Sequence, residues 1–412
     1  MNKYILKYFF FLQIILLLAW FLGRQFLPVK DVVFSGKNLE KQEESSLIWS
    51  RANFDGVHYV TIARGGYGYL QQAFFPFYPK VIGFGQKFLR SYIVSGLFIS
   101  NIFFILSMLL LAKILALEKI NQEGIKKTLL FLFFFPTAFF FTSVYTESLF
   151  LFLVLASFYF ARQGKFGRAG LIAGLASYTR LAGVFLLPAL LTEYYQQASR
   201  RGMKERLFAL KKRIAHPKKN HFFHLLKSRI IHTRHLVHIA LSSWGLIVYM
   251  NYLNKTQGDP LYFVRVQPGF GAQRSVDKLI LPYQVFWRYL KMIFTVYPNQ
   301  WLYFNVWLEF LVALFFIGLL LWGWYKREEY KIRNSWLVFA AGAFVLPTLT
   351  GTFLSLPRFV LVCFPCFVVL SCLFEDLKKK KKWVWATRAY PLISLGLLII
   401  CAALFFRSYW IA

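Results

Sequence analysis

Asp55 and His58 are the residues best suited to acid–base chemistry in this sequence, and they lie three positions apart in the segment NFDGVHYVTIARGGY at 53–67. In a helical turn, this spacing places both side chains on one face. Partial burial beside aromatic residues such as Tyr59 would tune Asp55 toward general-base work. An N-cap ahead of the helical run HYVTIA is an equally good interpretation, because aspartate caps helices well.

The aromatic and proline-rich run AFFPFYP follows at 73–79. Its prolines disfavour regular helix, and its rings suit a wall that lies against lipid headgroups. A chain that only crosses a bilayer has no need of a carboxylate, an imidazole and several phenols in one loop. We therefore interpret 53–79 as a chemical site at the membrane surface.

Few other carboxylates compete for a chemical role, because the chain has only 17 acidic residues. Glu147 precedes an apolar run and suits the first turn of a helix, where the helix dipole favours a negative charge. Glu309 lies within an apolar run and is a functional candidate by default, with a hydrogen-bonded helix contact as the alternative. Asp259 in GDP indicates a turn before a short helix. The acidic residues expected to be solvated are Asp31, Glu40, Glu43 and Glu44.

Three arginines, Arg180, Arg265 and Arg358, lie beside or between apolar runs. An arginine at membrane depth is costly unless it meets an anion, and phosphate matches its planar guanidinium group. Snorkelling to the headgroups, or pairing with Glu147 or Asp55, would also satisfy these side chains. One carboxylate, such arginines and an aromatic mouth together indicate an enzyme that acts on a phosphate-bearing lipid.

The composition is that of a membrane protein that crosses the bilayer several times, with 58% hydrophobic and 20% aromatic residues. The net charge of +32 comes from short basic segments between apolar runs, which is typical of cytoplasmic loops and excludes nucleic-acid binding. The CFPC tetrapeptide at 363–366 is expected to be apolar core rather than a redox or zinc pair. Six histidines at 216–238 fit no fixed metal geometry, so a solvated basic loop is expected there.

A spanning helix needs about 20 apolar residues, and 128–143 with 148–162 form a shorter predicted hairpin around the polar turn 143–148. The loops richest in Lys and Arg are 117–127, 199–235, 325–333 and 375–387. The positive-inside rule assigns these loops and the N-terminus to the cytoplasm, and 28–90 to the outer side. The predicted spans are 5–23, 92–116, 236–253, 301–324, 336–353, 358–374 and 388–407.

The segment 169–195 decides the side on which the next loop lies. Residues 200–234 contain twelve Lys and Arg against Glu205 alone, and a single span at 169–195 would place them outside. Two short helices, 169–179 and 182–195, joined near Arg180 restore this loop to the cytoplasm. Irregular backbone at membrane depth must line a cavity, so Arg180 is predicted to face one. The total becomes about eleven membrane segments, with the C-terminus outside.

The segment 53–79 resembles the first outer loop of the PIG-V family, the GPI mannosyltransferase 2 relatives among the GT-C glycosyltransferases. There the pattern is roughly W-D-x-x-H/Y-Y/F-x-x-I-A-x-x-G-Y, followed by A-F-x-P-x-x-P. This chain differs in having Phe54 where the family usually has Trp. Four later segments resemble further family motifs in the same order: FFFPTAFFFTSVYTESLF (133–150), AGLASYTRLAGV (173–184), GDPLYFVRVQ (258–267) and GTFLSLPRFVLVCFP (351–365).

The resemblance implies an all-α, GT-C-type bundle, with 1–412 forming a single transmembrane domain. In it, 28–90 is the structured outer catalytic loop and 199–235 is a basic cytoplasmic loop. Asp55 matches the acidic residue that the family uses as catalytic base. Glu147, Arg180 and Arg358 match family motif positions that would bind substrate. Arg265 lies in a later motif and would also bind substrate. His58 and Tyr59 are expected to position substrate.

The implied reaction is the inverting transfer of a hexose, expected to be mannose, from a polyprenyl-phosphate donor to an acceptor hydroxyl. The acceptor is a glycan, glycolipid or protein, and the other partners are membrane lipids. No DxD motif occurs, so no metal and no cofactor are expected. A prokaryotic homologue would lie in the cytoplasmic membrane, and a eukaryotic one in the ER membrane. A flippase or transporter of lipid-linked sugars and a glycan ligase remain the alternatives, although transporters usually contain internal repeats.

Overall fold

The computed structural model describes residues 1–32, 34–39, 45–213, 233–271, 274–276, 278, 280–381 and 383–411, with side chains omitted at 200–213. Across those residues the regular structure is helical, and no strand occurs. The longer helices are α1 (Asn2–Phe26), α2 (Asp55–Gly65), α3 (Phe77–Leu89), α4 (Tyr92–Leu117), α5 (Gln122–Phe133), α6 (Glu147–Arg162), α7 (Phe166–Thr179), α8 (Leu186–Arg213), α9 (Thr233–Gln257), α10 (Pro282–Thr295), α11 (Trp301–Tyr325), α12 (Asn334–Thr348), α13 (Phe364–Lys379) and α14 (Val384–Phe406).

The described chain forms a multi-pass helical membrane protein. Five of its helices, α1, α4, α9, α11 and α14, are long and apolar enough to cross a bilayer, and a bent pair would bring the number to six. The prediction of an all-α polytopic protein is therefore confirmed. Other segments of the predicted set, such as the 15-residue α12, are shorter than the roughly 20 residues that a single span needs.

The predicted span 358–374 is bent rather than continuous. Residues Leu356–Val362 form one arm and α13 forms the other, at an angle of 82°. Pro365 lies in the first turn of α13. A helix running unbroken through Pro365 would lose one backbone hydrogen bond and bring the proline ring against a carbonyl one turn earlier. The short arm carries Arg358.

The predicted hairpin at 128–143 and 148–162 is wrong in its first half. Helix α5 ends at Phe133, and Ala138–Thr142 form a 3₁₀-helix instead. The predicted polar turn is buried, and its hydroxyl groups bond to nearby backbone carbonyls. Ser143 Oγ donates to Phe139 O at 2.9 Å, and Ser148 Oγ donates to Phe141 O at 2.6 Å. Irregular backbone with its polar groups satisfied in this way can be buried in protein.

The prediction that 73–79 resists helix formation is also partly wrong. Helix α3 begins at Phe77 and contains Pro79. The first turn of a helix tolerates proline, since the N–H groups there have no partner within the helix.

Loops predicted to share one side of the membrane do meet at one end of the bundle. Lys331 Nζ donates to Lys119 O at 3.1 Å, and Asn121 Nδ2 donates to Glu375 Oε2 at 3.3 Å. These contacts join the loops after α4, α11 and α13, and we call this region the basic end.

Helices α6, α7 and α8 run between the basic end and the opposite end. At the basic end, Arg333 Nε lies 2.7 Å from Glu193 Oε2, and Glu118 pairs with Arg162. At the other end, α6 begins with Glu147 and α7 stops at Thr179. The chain therefore reverses next to Arg180, as the positive-inside rule predicts.

Helix α8 starts after this reversal and runs back to the basic end, where Glu193 pairs with Arg333. Most of the basic loop, including His216, His221, His224 and His232, lies outside the described residues.

Candidate functional site

A cavity of about 1190 Å³ opens at the end of the bundle opposite the basic end. We call this end the site end. The volume exceeds the roughly 300–1,000 Å³ of most small-molecule pockets, so the cavity has room for more than one small substrate. Most of its lining comes from four parts of the chain, 54–75, the α7–α8 break, 263–278 and 343–362, and Val32, Phe34 and Trp410 complete it.

Asp55 and Arg358 form an ion pair at the wall of this cavity. Arg358 Nη1 lies 2.6 Å from Asp55 Oδ2. Arg358 Nε also lies 3.4 Å from Glu147 Oε1, so one guanidinium group contacts two carboxylates. Bidentate or shared contacts of this kind hold the planar arginine fork in one orientation.

Arg180 completes the group from the break between α7 and α8. Its Nη1 donates to Glu147 Oε1 at 2.8 Å. The ring of Phe359 packs against both guanidinium groups, with centroid distances of 5.0 Å to Arg180 and 4.9 Å to Arg358. We call Asp55, Glu147, Arg180 and Arg358 the ion cluster.

The members of the ion cluster differ in the solvent exposure of their side chains. The side chain of Glu147 is 1% exposed and does not line the cavity, whereas Asp55 is 17% and Arg180 is 15% exposed. Glu147 therefore lies behind the two arginines and holds them in place. Asp55 is the carboxylate that reaches the cavity, which is the position a general base needs.

The structure does not support the capping interpretation of Asp55. Phe54 is the N-cap, and Asp55 is the first residue of α2. Phe54 has a φ of 59°, a strained value for a residue with a large side chain. Its N–H donates to Phe34 O at 2.7 Å, and its ring packs against Trp410 at a centroid distance of 5.0 Å. These contacts hold the turn that directs Asp55 to Arg358.

Asn53 anchors the same turn and was not identified from the sequence. Its side-chain oxygen accepts from Gly36 N–H and its amide donates to Phe405 O, each at 2.8 Å. Its backbone oxygen accepts from the Tyr145 hydroxyl, also at 2.8 Å. The signal available in the sequence was an amide side chain close to the expected base. When such an amide is buried, it is found where it is fully hydrogen-bonded.

Contacts between motif segments assemble the ion cluster. Val144 N–H donates to Arg51 O at 3.0 Å, which joins the Glu147 segment to the Asp55 segment. Thr137 Oγ1 donates to Pro357 O at 2.6 Å, which joins the same segment to the Arg358 segment. Three stretches that are distant in sequence are therefore fixed against one another.

A family model for mannosyltransferases of the PIG-V type matches residues 2–225, which is more than half of the chain. The chain belongs to the PIG-V mannosyltransferase family. The match includes Asp55, Glu147 and Arg180 and ends before Arg358. No curated protein and no solved structure matches the chain.

In this PIG-V family member, His58 and Tyr59 line the cavity beside Asp55. The His58 ring stacks on Phe74 at 4.6 Å and lies 4.6 Å from Phe34. Burial lowers the pKa of His58, although the nearby Asp55 acts in the opposite direction. A lowered pKa favours the neutral imidazole, which can both donate and accept hydrogen bonds with a hydroxylated substrate.

Arg265 is the sequence-predicted residue that the structure places away from the others. Its Nε lies 2.6 Å from Asp259 Oδ2, its side chain is 70% exposed, and it does not line the cavity. Asp259 also accepts from Leu261 N–H at 3.0 Å, which confirms the predicted turn. We therefore assign Arg265 no role at the site.

Glu309 is buried in α11, where it makes a hydrogen-bonded contact, which was the predicted alternative to a functional role. The Tyr289 hydroxyl donates to Glu309 Oε2 at 2.5 Å and accepts from Phe353 N–H at 3.2 Å. Glu309 does not line the cavity. It supports the segment that leads to Arg358.

Cys363 and Cys366 are buried in the apolar core, as expected. Within the described ranges, no group of three or more His, Cys, Asp or Glu side chains is placed to hold a metal ion. Arg274 and Lys278 also line the cavity, and sequence reasoning did not identify either residue.

Proposed function

We propose that this PIG-V family protein transfers mannose from a polyprenyl-phosphate donor to an acceptor hydroxyl, with inversion at the anomeric carbon. The observation that carries the proposal is the position of Asp55. Its carboxylate lies on the wall of a large cavity, within the matched family region, and is oriented by an arginine.

In the proposed reaction, Asp55 accepts the proton of the acceptor hydroxyl while the hydroxyl oxygen attacks the anomeric carbon of mannose. The bond between that carbon and the phosphate oxygen breaks, and its electron pair leaves with the polyprenyl phosphate. The products are the mannosylated acceptor, polyprenyl phosphate and a protonated Asp55. Attack from the face opposite the leaving group inverts the sugar.

Positive charge at the site supports a phosphate leaving group. Arg180 and Arg358 line the cavity with Asp55, while the second carboxylate of the ion cluster is buried behind them. Cationic groups placed where negative charge develops stabilise the transition state most in a site that excludes water. His58 and Tyr59 would position the substrates rather than exchange protons.

We place the reaction on the outer or lumenal face of the membrane, in a GT-C-type bundle of about eleven spanning or re-entrant segments. The support is the separation of the two ends, since the basic loops meet at the end opposite the cavity. Under the positive-inside rule, the basic end is cytoplasmic. The membrane would be the cytoplasmic membrane of a prokaryote or the ER membrane of a eukaryote, and the reaction is proposed to need no metal or cofactor.

The test is mannose transfer by membranes that contain the wild type, Asp55→Asn or Asp31→Asn at matched protein levels. Radiolabelled polyprenyl-phosphate mannose serves as donor, and label in the polar and protein fractions is counted. We expect Asp55→Asn to abolish transfer. Asp31→Asn should transfer normally, because Asp31 is an exposed acid of the same loop.

Transfer by Asp55→Asn at the wild-type rate would remove Asp55 as the base. Absence of transfer by the wild type, combined with movement of the intact labelled lipid across a vesicle bilayer, would instead support the transporter alternative.

A further inference from the structure

Arg274 is a third arginine of the cavity, and it enters from a different wall than the ion cluster. It lies on the segment after the short helix Tyr262–Arg265 and lines the cavity. Its Nη1 donates to Gln267 Oε1 at 2.9 Å. The next residue is tied to the opposite wall, since Ser275 N–H donates to Thr350 O at 3.1 Å. The guanidinium group is therefore held in place by a neutral amide.

The partners of Arg274 differ from those of the other two arginines. Arg180 and Arg358 each contact a carboxylate within 3.4 Å. Among the residues that the structure describes, no carboxylate lies within 4.0 Å of Arg274. Burial has the largest effect and lowers the pKa of Arg274; Arg358 lowers it too, whereas Asp55, Glu309 and Tyr289 raise it from a distance. A desolvated cation in this setting is stabilised by an incoming anion.

The charged side chains that line the described part of the cavity are mostly positive, which also favours an anionic ligand. Arg180, Arg274, Lys278 and Arg358 face it, whereas Asp55 is the one lining carboxylate in that part of the chain. The carboxylate of Glu147 behind the wall offsets one of these cations. The remaining excess is positive and lies on the side of Arg274 and Lys278.

We propose that Arg274 is the main contact for the phosphate of the lipid-linked donor. This inference rests on the proposed function and divides the work among the arginines. Arg358 and Arg180 are held by Asp55 and Glu147, so their part in stabilising the phosphate is secondary, and Arg358 also orients the base. Among the described residues, Arg274 bonds only through Nη1 to Gln267, so the rest of its guanidinium group is available there, and its planar edge matches two phosphate oxygens. The anomeric carbon of the donor then lies between Arg274 and Asp55.

Binding and kinetics with purified protein in lipid nanodiscs test the assignment. The probes are polyprenyl phosphate, the same polyprenol without phosphate, and inorganic phosphate. We expect Arg274→Gln to weaken polyprenyl phosphate binding and raise the donor KM by about tenfold to a hundredfold, as for loss of a charged hydrogen bond. Binding of the polyprenol should not change, and kcat should fall less than KM rises. Arg274→Lys should retain part of the affinity, because it keeps the charge without the fork.

Arg265→Gln is the matched control, because that arginine lies nine positions earlier, is paired with Asp259 and does not line the cavity. It should bind and transfer as the wild type does. If Arg274→Gln is too unstable to purify, Gln267→Leu removes the tether of the guanidinium group and should also weaken polyprenyl phosphate binding.

Wild-type affinity for polyprenyl phosphate in Arg274→Gln, or in Gln267→Leu where that variant replaces it, would overturn the inference. The inference would also be overturned if Arg274→Gln lost as much affinity for the polyprenol as for polyprenyl phosphate. The same holds if only the binding of inorganic phosphate depended on Arg274. Arg274-dependent binding without mannose transfer by the wild type would support the phosphate site and refute the proposed function. Mannose transfer that is unchanged in Arg274→Gln would support the proposed function and refute the phosphate site at Arg274.

Discussion

Arg358 Nη1 lies 2.6 Å from Asp55 Oδ2, although 303 positions separate the two residues in sequence. The pair joins α2 to the short arm of a bent segment near the end of the chain. The base proposed for the reaction is thus oriented by a cation and not by a backbone cap. A positioned base on a rigid wall is effective because its geometry is set before substrate arrives.

Removing Arg358 should destabilise the protein and lower its transfer rate. Asp55 and Glu147 would both lose a partner in Arg358→Gln, and breaking a buried pair by deleting one member costs about 3 kcal/mol or more. Arg358→Lys should recover some stability but little activity, since lysine cannot contact both carboxylates with a planar fork. Thermal unfolding in detergent and the transfer rate, measured on the same preparations, check this prediction. Equal stability of Arg358→Gln and wild type would contradict the assigned ion cluster.

Glu147 should act through the arginines. In Glu147→Gln, Arg180 and Arg358 both lose their shared charge partner, and we expect a lower transfer rate with a nearly unchanged donor KM. The double variant with Arg180→Gln should be less harmful than the sum of the two single changes, because contacting residues are coupled. The double-mutant cycle on kcat measures this coupling. Strict additivity would show that the 2.8 Å contact carries no energy for the reaction.

Asn53 should control the geometry of the base without touching substrate. Asn53→Leu removes two side-chain hydrogen bonds and should lower stability by about 2 kcal/mol, from about 1 kcal/mol for each bond. The transfer rate should fall as well, because the Phe54 turn loosens. Asn254→Ala is the control, since Asn254 is exposed on α9 and surface changes usually stay within about 0.5 kcal/mol. A fully active Asn53→Leu variant would contradict the anchoring role.

The stability of the protein should depend on pH through His58. Its pKa is lowered from 6.5 by burial, so the unfolded chain binds more protons than the folded one, and stability rises with pH. The contribution is complete above about pH 6.5 and is lost as the pH falls below that value. The wild type should therefore lose more stability than His58→Gln between pH 7 and pH 5. Melting temperatures across this range check the prediction, and parallel curves would contradict it.

Gly183 should be required for the reversal at Arg180. A Cβ at this position would lie 2.4 Å from Ser177 N, which no side chain can tolerate without moving the backbone. Gly183→Ala should therefore destabilise the protein and displace Arg180 from the cavity. Gly396→Ala is the matched control, because nothing lies within 4 Å of the Cβ position in that helical glycine, and alanine favours helix by about 1 kcal/mol. Melting temperature and transfer rate should fall only in the first variant.

The long membrane helices and the main reversal of the chain could be predicted from local sequence. The predicted spans 92–116 and 301–324 match α4 and α11 within one residue at each end. The length of an apolar run is a local property, and a bilayer requires a fixed length. The break at Arg180 was also readable, because the charge of the following loop constrains its side of the membrane.

Which charged side chains meet depends on how the chain folds. The sequence allowed the arginines to pair with either Asp55 or Glu147, and folding brings Arg358 to both and Arg180 to Glu147. Folding also placed Arg274, which the sequence did not single out, at the cavity wall and left the predicted Arg265 away from the cavity. Burial of the polar turn before α6 was hidden for the same physical reason. Whether a charged or polar side chain is satisfied inside a protein depends on partners that lie far away in sequence.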